Sequence, residues 1–399
     1  MSNTEGKKIF SKGRIAGLDL RNRIIRAGCF EGMCQNESPS ELLLEHHRDV
    51  AAGGVAMTTV AYCAVSRNGL AFGHEMWMRE EIVPMLERIA AAVHQEGAAA
   101  SIQLGHCGFF ANSGVTQEKA LGPSKKFCTF RLSFSKEMTE EDMERLREDF
   151  AKAAVMAKGA GFDALEVHSG HGYLLSQFLS PWTNKRKDKY GGSLENRLRF
   201  PVSVIERVRE RVGPDFPVLI KMNLRDGFKG GVEVEDAIEI ARQYEAAGAS
   251  ALVLSCGFTT KTPLYMLRGE VPIKGFRKAV EGILPKIGMI LFGKFMVQYY
   301  PFEELFLLEE ARKVRAAVKL PLVLLGGVCS LENMATAMEE GFDFVQVGRA
   351  TVRDPNIVTK MERGELLASD CDHCNRCVGE IYGAPVRCIC LAEGRTLAG

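Results

Sequence analysis

Gly161-Phe-Asp-Ala-Leu-Glu-Val-His168-Ser-Gly-His-Gly-Tyr173 decides how the chain is read. Its first eight residues read as a short buried strand entered from a helix. Alternation sends Ala164, Glu166 and His168 to one face and Leu165 and Val167 to the other. Gly170 and Gly172 end the strand, so His168, His171 and Tyr173 crowd the loop at its C-terminal end. Two imidazoles and a phenol within six residues offer hydrogen-bond donors to an oxygen atom, and one proton donor.

Outward from this stretch, strands and helices alternate eight times. Strands are expected near 23–28, 54–60, 97–103, 162–168, 217–222, 250–255, 321–326 and 342–348. Helices are expected near 40–52, 80–96, 139–160, 194–212, 233–247, 302–318, 330–340 and 353–364. In the helix at 194, Ser193 can serve as N-cap and Leu194, Leu198, Ile205, Val208 and Val212 share one stripe. Pro201 should kink it. The strands are short, β-branched and nearly continuous in apolar character, as parallel strands buried on both faces must be. Eight such units predict an α/β fold, a (β/α)8 TIM barrel. A doubly wound sheet is disfavoured, since no Gly-x-Gly-x-x-Gly turn follows the first strand. Lys8–Leu20, turning at Gly13 and Gly17, suits a short N-terminal hairpin. Residues 104–138 and 256–301 exceed the minimal barrel and follow strands, on the face where barrel active sites lie. The second is read as a substrate lid, an oligomer contact or added packing at the rim.

The 51 basic and 50 acidic side chains nearly cancel, so no field draws nucleic acid or acidic lipid. No long apolar run is free of charge, and the first eight residues lack the apolar core of a signal peptide. A cytoplasmic protein without a membrane span is expected. Of twelve cysteines, seven are scattered and five (371, 374, 377, 388, 390) crowd the last thirty residues. In a reducing compartment the first group reads as small buried hydrophobes and the second as metal ligands.

The string from Glu166 to Pro181, with Tyr190-Gly-Gly-Ser-Leu-Glu-Asn-Arg-Leu-Arg-Phe200, resembles the signature of the old yellow enzyme family, the FMN-dependent ene-reductases and their 2,4-dienoyl-CoA reductase relatives. The resemblance implies FMN as cofactor, NAD(P)H as electron donor and a small activated alkene as substrate. His168 and His171 would hold its carbonyl oxygen and Tyr173 would protonate the α-carbon. Glycines after strands seven and eight, Gly326, Gly327 and Gly348, let backbone N–H groups approach a phosphate, and Arg349 adds charge and a fork. Gln103 matches the residue that holds the flavin pyrimidine. Lys221 stands where most relatives carry Arg, beside flavin N1–O2, with Glu166 able to balance its charge. Ala27, Gly28, Cys29 and Ala61 would supply contacts from strands one and two, while Phe30 replaces a hydrogen-bonding Thr or Cys.

Cys371, Cys374, Cys377 and Cys388 resemble the [4Fe–4S] motif of the dienoyl-CoA reductase branch, with two residues rather than three between the second and third cysteines. Iron–sulfur and zinc both remain open, with Cys390 as a substitute ligand. The expected division is a barrel at 1–365 and a cysteine-rich extension at 366–399, in a homo-oligomer. Three functions compete: reduction of enones, enoates or enoyl thioesters; oxidative demethylation of an amine on the same scaffold; and a non-enzymatic electron-transfer subunit. A carrier would need no proton donor over the flavin, which argues against the third.

Overall fold

The computed structural model describes residues 8–129, 131–279 and 297–394. Eight parallel strands carry it: β1 (Ile24–Arg26), β2 (Met57–Ala64), β3 (Ala99–Gly105), β4 (Ala164–Ser169), β5 (Val218–Asn223), β6 (Ala251–Ser255), β7 (Leu322–Leu324) and β8 (Phe344–Val347). Each pairs with its neighbours in sequence order. β1 pairs with β8 through Val345↔Ile24 and with β2 through Ile25↔Met57, so the sheet closes. The fold is a (β/α)8 barrel, as the alternation predicts. Every residue of the eight strands is buried, which explains their near-continuous apolar character.

The barrel floor is packed rather than hollow. Ala99, Ala164, Leu219, Val253 and Phe344 point into the lumen and form one apolar cluster with Ile15 and Leu20. Those two belong to the antiparallel hairpin Gly13–Ile15/Leu18–Leu20, which plugs the N-terminal end. Around the strands run α1 (Glu41–Ala52), α2 (Val83–Gln95), α3 (Glu140–Gly159), α4 (Leu194–Val212), α5 (Val234–Ala246), α6 (Leu308–Arg315), α7 (Leu331–Glu339) and α8 (Ile357–Glu362). The Thr139 hydroxyl accepts from Asp142 N and starts α3, and Ser193 accepts from Asn196 N at α4. Such caps contribute about 1 kcal/mol each. α4 continues through Pro201 as one helix.

Two helices differ from expectation. The helix expected at 302–318 begins only at Leu308, because the preceding residues wrap over the glycines after β7. There Leu305 N donates to Gly327 O (3.3 Å). The one expected at 353–364 divides into Arg349–Arg353 and α8 at Pro355, which has no N–H to continue the ladder. The insertion after β3 contains a small hairpin, Phe127–Cys128 with Ser133–Phe134. Of the insertion after β6, Ile273–Ala279 is helical, and the part of the anticipated lid at 280–296 lies outside the described residues.

The C-terminal segment folds back across the mouth of the barrel. Ala368 bridges to Ser330, Val386 N donates to Glu31 O (2.8 Å), and His74 Nε2 meets Ile381 O (2.8 Å). Among the described residues, no helix is long and apolar enough to cross a membrane.

Candidate active site

One step of the strand period above the apolar floor, the lumen turns polar. Glu166 follows Ala164, Lys221 follows Leu219, Ser255 follows Val253 and Gln346 follows Phe344, each two residues on and therefore on the same face. Glu166 is the hub. Its Oε1 lies 2.7 Å from Lys221 Nζ and accepts from Gln103 Nε2 (2.6 Å), while Oε2 accepts from Gln346 Nε2 (2.8 Å). Lys221 and Glu166 are each 1% exposed, so the pair is a fully buried ion pair whose remaining lone pairs are bonded. Lys221 Nζ also reaches Gly28 O (3.3 Å). A Cβ at Gly28 would come within 2.9 Å of Glu166 Oε1 and 3.0 Å of Gln103 Nε2, so any larger residue there would push against this hydrogen-bonded pair. Gln346 Oε1 is buried with no hydrogen-bond partner.

Above this layer lie the three residues of the opening stretch. The His168 ring stacks on Tyr173 (centroids 4.1 Å apart, 25°) and meets the His171 ring edge-on at 5.0 Å. His168 Nδ1 accepts from Gly170 N (3.3 Å), which leaves its proton on Nε2. His171 takes φ +55°, its backbone N donates to Asn223 Oδ1 (2.9 Å), and its Nε2 sits 2.6 Å from Ser255 Oγ. Burial holds His168 well below the usual imidazole range and pushes His171 down to about 3. Burial also holds the Tyr173 hydroxyl well above the ordinary phenol range. At neutral pH the site therefore presents two neutral imidazoles and a protonated phenol.

These imidazoles make the fold acid-sensitive. Burial lowers His46, His47 and His168 well below their ordinary value and His106 and His171 to about 3. Lowered imidazoles contribute stability fully present above the unfolded value near 6.5 and lost as pH falls below it. Burial raises Glu31, Asp226 (to about 6) and Glu75 (to about 7), which acts in the opposite sense. His74 and His373 are lowered by burial as well, and Asp149 and Glu310 raised, so the lowered imidazoles outnumber the raised carboxyls. Between pH 6 and pH 5 the unfolded chain then binds more protons than the folded one, and unfolding free energy should drop over that unit. Urea midpoints measured at pH 7, 6 and 5 check this; a midpoint that rises on acidification refutes it.

Ala27, Gly28, Cys29, Gln103 and Lys221 all line one large cavity with His168, His171 and Tyr173. Gly326, Gly327, Gly348 and Arg349 line it too, with Gly348 close to Cys29 and Ala27. Ala61 is not on that wall. Its N donates to Glu31 Oε2 (3.2 Å), and the next residue, Tyr62, faces the cavity instead. Arg349 turns partly away, with Nη1 donating to Arg268 O (2.8 Å) and Asn375 Oδ1 (2.6 Å), so it ties β8 to the C-terminal segment. Gln346 and Ser255 were not singled out from the sequence, although the period-two alternation that places Glu166 would place them too.

Cys371 and Cys377 also reach the large cavity, and all five clustered cysteines surround a smaller one beside it. Cys374 Sγ lies 3.6 Å from Cys390 Sγ, which is 3.5 Å from Asp372 Oδ2. The donor atoms of Asp372, Cys374 and Cys390 all fall within 4.8 Å of one another. Cys388, expected as a ligand, lines that smaller cavity with Cys390, and its sulfur also meets Arg353 Nη1 (3.6 Å).

The barrel and the polar mouth define an oxidoreductase built on a TIM barrel. The sequence pattern of the NADH:flavin oxidoreductase / NADH oxidase family matches residues 8–256, and the chain belongs to that family, the old yellow enzyme family. It is an NAD(P)H:flavin oxidoreductase that uses FMN. It is 40% identical over 390 residues to a 4,4'-dithiodibutanoate disulfide reductase of Rhodococcus erythropolis, covering 98% of this chain and 96% of the relative. It is 31% identical to an NADH oxidase of Thermoanaerobacter brockii over 94% of this chain, and 30% identical to a probable N-methylproline demethylase of Rhizobium meliloti over 95%. Of these two it spans about half the length, 54% and 53%. Solved structures of similar fold include the old yellow enzyme homologue from Zymomonas mobilis (TM-score 0.73, 23% identity, 91% of this chain and 95% of that one). A 2-naphthoyl-CoA reductase complex superposes with TM-score 0.82 at 24% identity, over 96% of this chain and 57% of that one.

Proposed function

We propose that the enzyme passes electrons from NAD(P)H to an electrophilic acceptor with an activated C=C bond, at the cavity mouth formed by His168, His171 and Tyr173. The observation that carries the reading is this trio, with one imidazole tautomer set by Gly170 and the phenol stacked directly on that ring. FMN fits the layer beneath it. Lys221 Nζ and the unpartnered Gln346 Oε1 offer a cation and an acceptor to the flavin's pyrimidine edge, Gln103 adds an amide, and Gly28 leaves room for close approach. The glycines after β7 and β8 would take the phosphate. What the flavin supplies when bound is a two-electron store, filled by hydride from NAD(P)H and emptied onto the acceptor.

The residues of this chain do the rest. Donors at His168 and His171 bind the carbonyl oxygen and stabilise its charge as hydride reaches the β-carbon. Tyr173 gives its proton to the α-carbon, and water restores it. A second reading, reduction of a disulfide, is favoured by the relative from Rhodococcus erythropolis, since it matches nearly end to end. Hydride plus the Tyr173 proton would convert one S–S bond into two thiols, with the same imidazoles facing the departing sulfur. Reduced enzyme mixed anaerobically with cyclohexenone, with an organic disulfide and, in the oxidised form, with a methylated amine separates the readings. Alkene-dependent reoxidation supports the first. Reoxidation by disulfide alone assigns the second, and bleaching by amine assigns demethylation.

The 366–399 extension is proposed to hold metal through Cys371, Cys374, Cys377 and one of Cys388 and Cys390. The proximity of Cys374 to Cys390 supports the latter. Anaerobically purified protein should carry iron or zinc, and Cys390→Ser should lose more of it than Cys388→Ser. Metal-free protein sinks the site, and equal losses sink the choice of ligand.

A further inference from the structure

The two imidazoles at the cavity mouth are held in different ways. In His168 the backbone sets the tautomer, because Nδ1 accepts from Gly170 N (3.3 Å) and the proton is left on Nε2. In His171 the backbone is tied down, yet no backbone group bonds the ring. His171 N donates to Asn223 Oδ1 (2.9 Å), and His171 O accepts from Thr259 N and Thr259 Oγ1 (both 2.9 Å). The Asn223 amide is itself fixed, with Nδ2 donating to Asp226 Oδ1 (2.9 Å) and Gly257 O (2.7 Å). Among the described residues the His171 ring has one hydrogen-bond partner, the Ser255 hydroxyl, 2.6 Å from Nε2. Ser255 ends β6, is 1% exposed, and its hydroxyl bonds no other described residue. Nδ1 is thus the ring nitrogen without a partner, on a residue that lines the cavity.

Burial keeps His171 neutral, so its ring carries a single N–H. Where that proton sits decides what the ring offers a ligand. If Ser255 donates to Nε2, the proton is on Nδ1 and the imidazole is a donor. If Nε2–H donates to Ser255 Oγ instead, Nδ1 is a lone pair and repels another lone pair. A carbonyl oxygen has only lone pairs to offer, and so is bound by the first arrangement alone. We propose that Ser255 is a positioning residue whose hydroxyl donates to His171 Nε2 and so fixes the Nδ1–H tautomer that holds the substrate oxygen. This rests on the reading that His168 and His171 together bind that oxygen. The pair then offers two donors and no acceptor, His168 Nε2–H and His171 Nδ1–H. It favours a carbonyl oxygen or a phenolate over a protonated amine, which needs an acceptor.

The test uses flavin-loaded, oxidised protein with isotopically labelled histidine. NMR of the ring nitrogens shows which one carries the proton, and the His171 signals are those lost in His171→Ala. Native protein should have His171 protonated on Nδ1. Ser255→Ala should move that proton to Nε2 in part or in full, and Ser255→Thr, which keeps a hydroxyl, should restore Nδ1–H. Calorimetric titration with 4-nitrophenolate, whose oxygen stands in for the substrate oxygen, should show about tenfold weaker binding to Ser255→Ala, the worth of one hydrogen bond. The same substitution made on His171→Ala should cost nothing more, as holds for a residue that acts only through another. Native His171 protonated on Nε2, or an equal loss with and without the His171 ring, overturns the proposal. Should Ser255→Ala not fold or not keep its flavin, the native tautomer and Ser255→Thr decide. Phenolate affinity unchanged in both His168→Ala and His171→Ala would sink the oxygen site at the mouth, while the native tautomer still judges Ser255.

Discussion

Tyr173→Phe should slow alkene reduction by on the order of 10²-fold or more while flavin reduction by NAD(P)H stays within a few-fold. The substitution removes one hydroxyl and keeps the ring that stacks on His168, so packing of the loop is preserved. Only the oxidative half-reaction asks for a proton at carbon, and burial keeps the Tyr173 phenol protonated far above neutral pH. The same burial makes the proton hard to give up, so the transfer must be driven by charge developing on the substrate. Because His168 and His171 stay neutral, the rate with the Tyr enzyme should show no imidazole titration between pH 6 and pH 8. Stopped-flow traces of each half-reaction measure this directly. Equal slowing of both halves, or of neither, removes Tyr173 from the role of acid.

The second large effect is expected at Glu166. Glu166→Ala leaves the Lys221 ammonium buried without its counter-charge and strips an acceptor from both Gln103 and Gln346. Breaking one side of such a pair costs about 3–5 kcal/mol, much of it the penalty of the stranded charge. The flavin-free protein should lose that much in urea unfolding. The double variant Glu166→Leu with Lys221→Met should recover part of the loss, because neither charge then needs solvation. It should also fail to retain FMN, since the cation proposed for the pyrimidine edge is gone. A double variant no more stable than Glu166→Ala would show that the stranded charge is not the cost. One that holds FMN as well as the unmodified protein would remove Lys221 from the cofactor site.

Much of this is legible in the amino-acid sequence. Eight short apolar strands alternating with amphipathic helices leave a closed parallel barrel as the economical way to bury both faces of every strand. Period-two alternation puts Glu166 and His168 in the lumen from the sequence alone, and the glycines after them mark the loop where His171 and Tyr173 meet. Applied with equal rigour to β6 and β8, the same rule would have found Ser255 and Gln346, but a single polar residue in an apolar strand is easily passed over. Other features depend on distances between segments far apart in the chain. Nothing local says that Ser255, at the end of β6, reaches the His171 ring, or that Arg349 spends one nitrogen on Asn375. The surroundings of Cys388 and Cys390 are of the same kind. Sequence spacing supplies a set of thiols, whereas burial of Cys390 against Cys374 and capture of the Cys388 sulfur by Arg353 follow from how the segment packs. Periodicity fixes which face a side chain takes, because strand geometry is local; what that side chain meets is decided by chain closure, which is not.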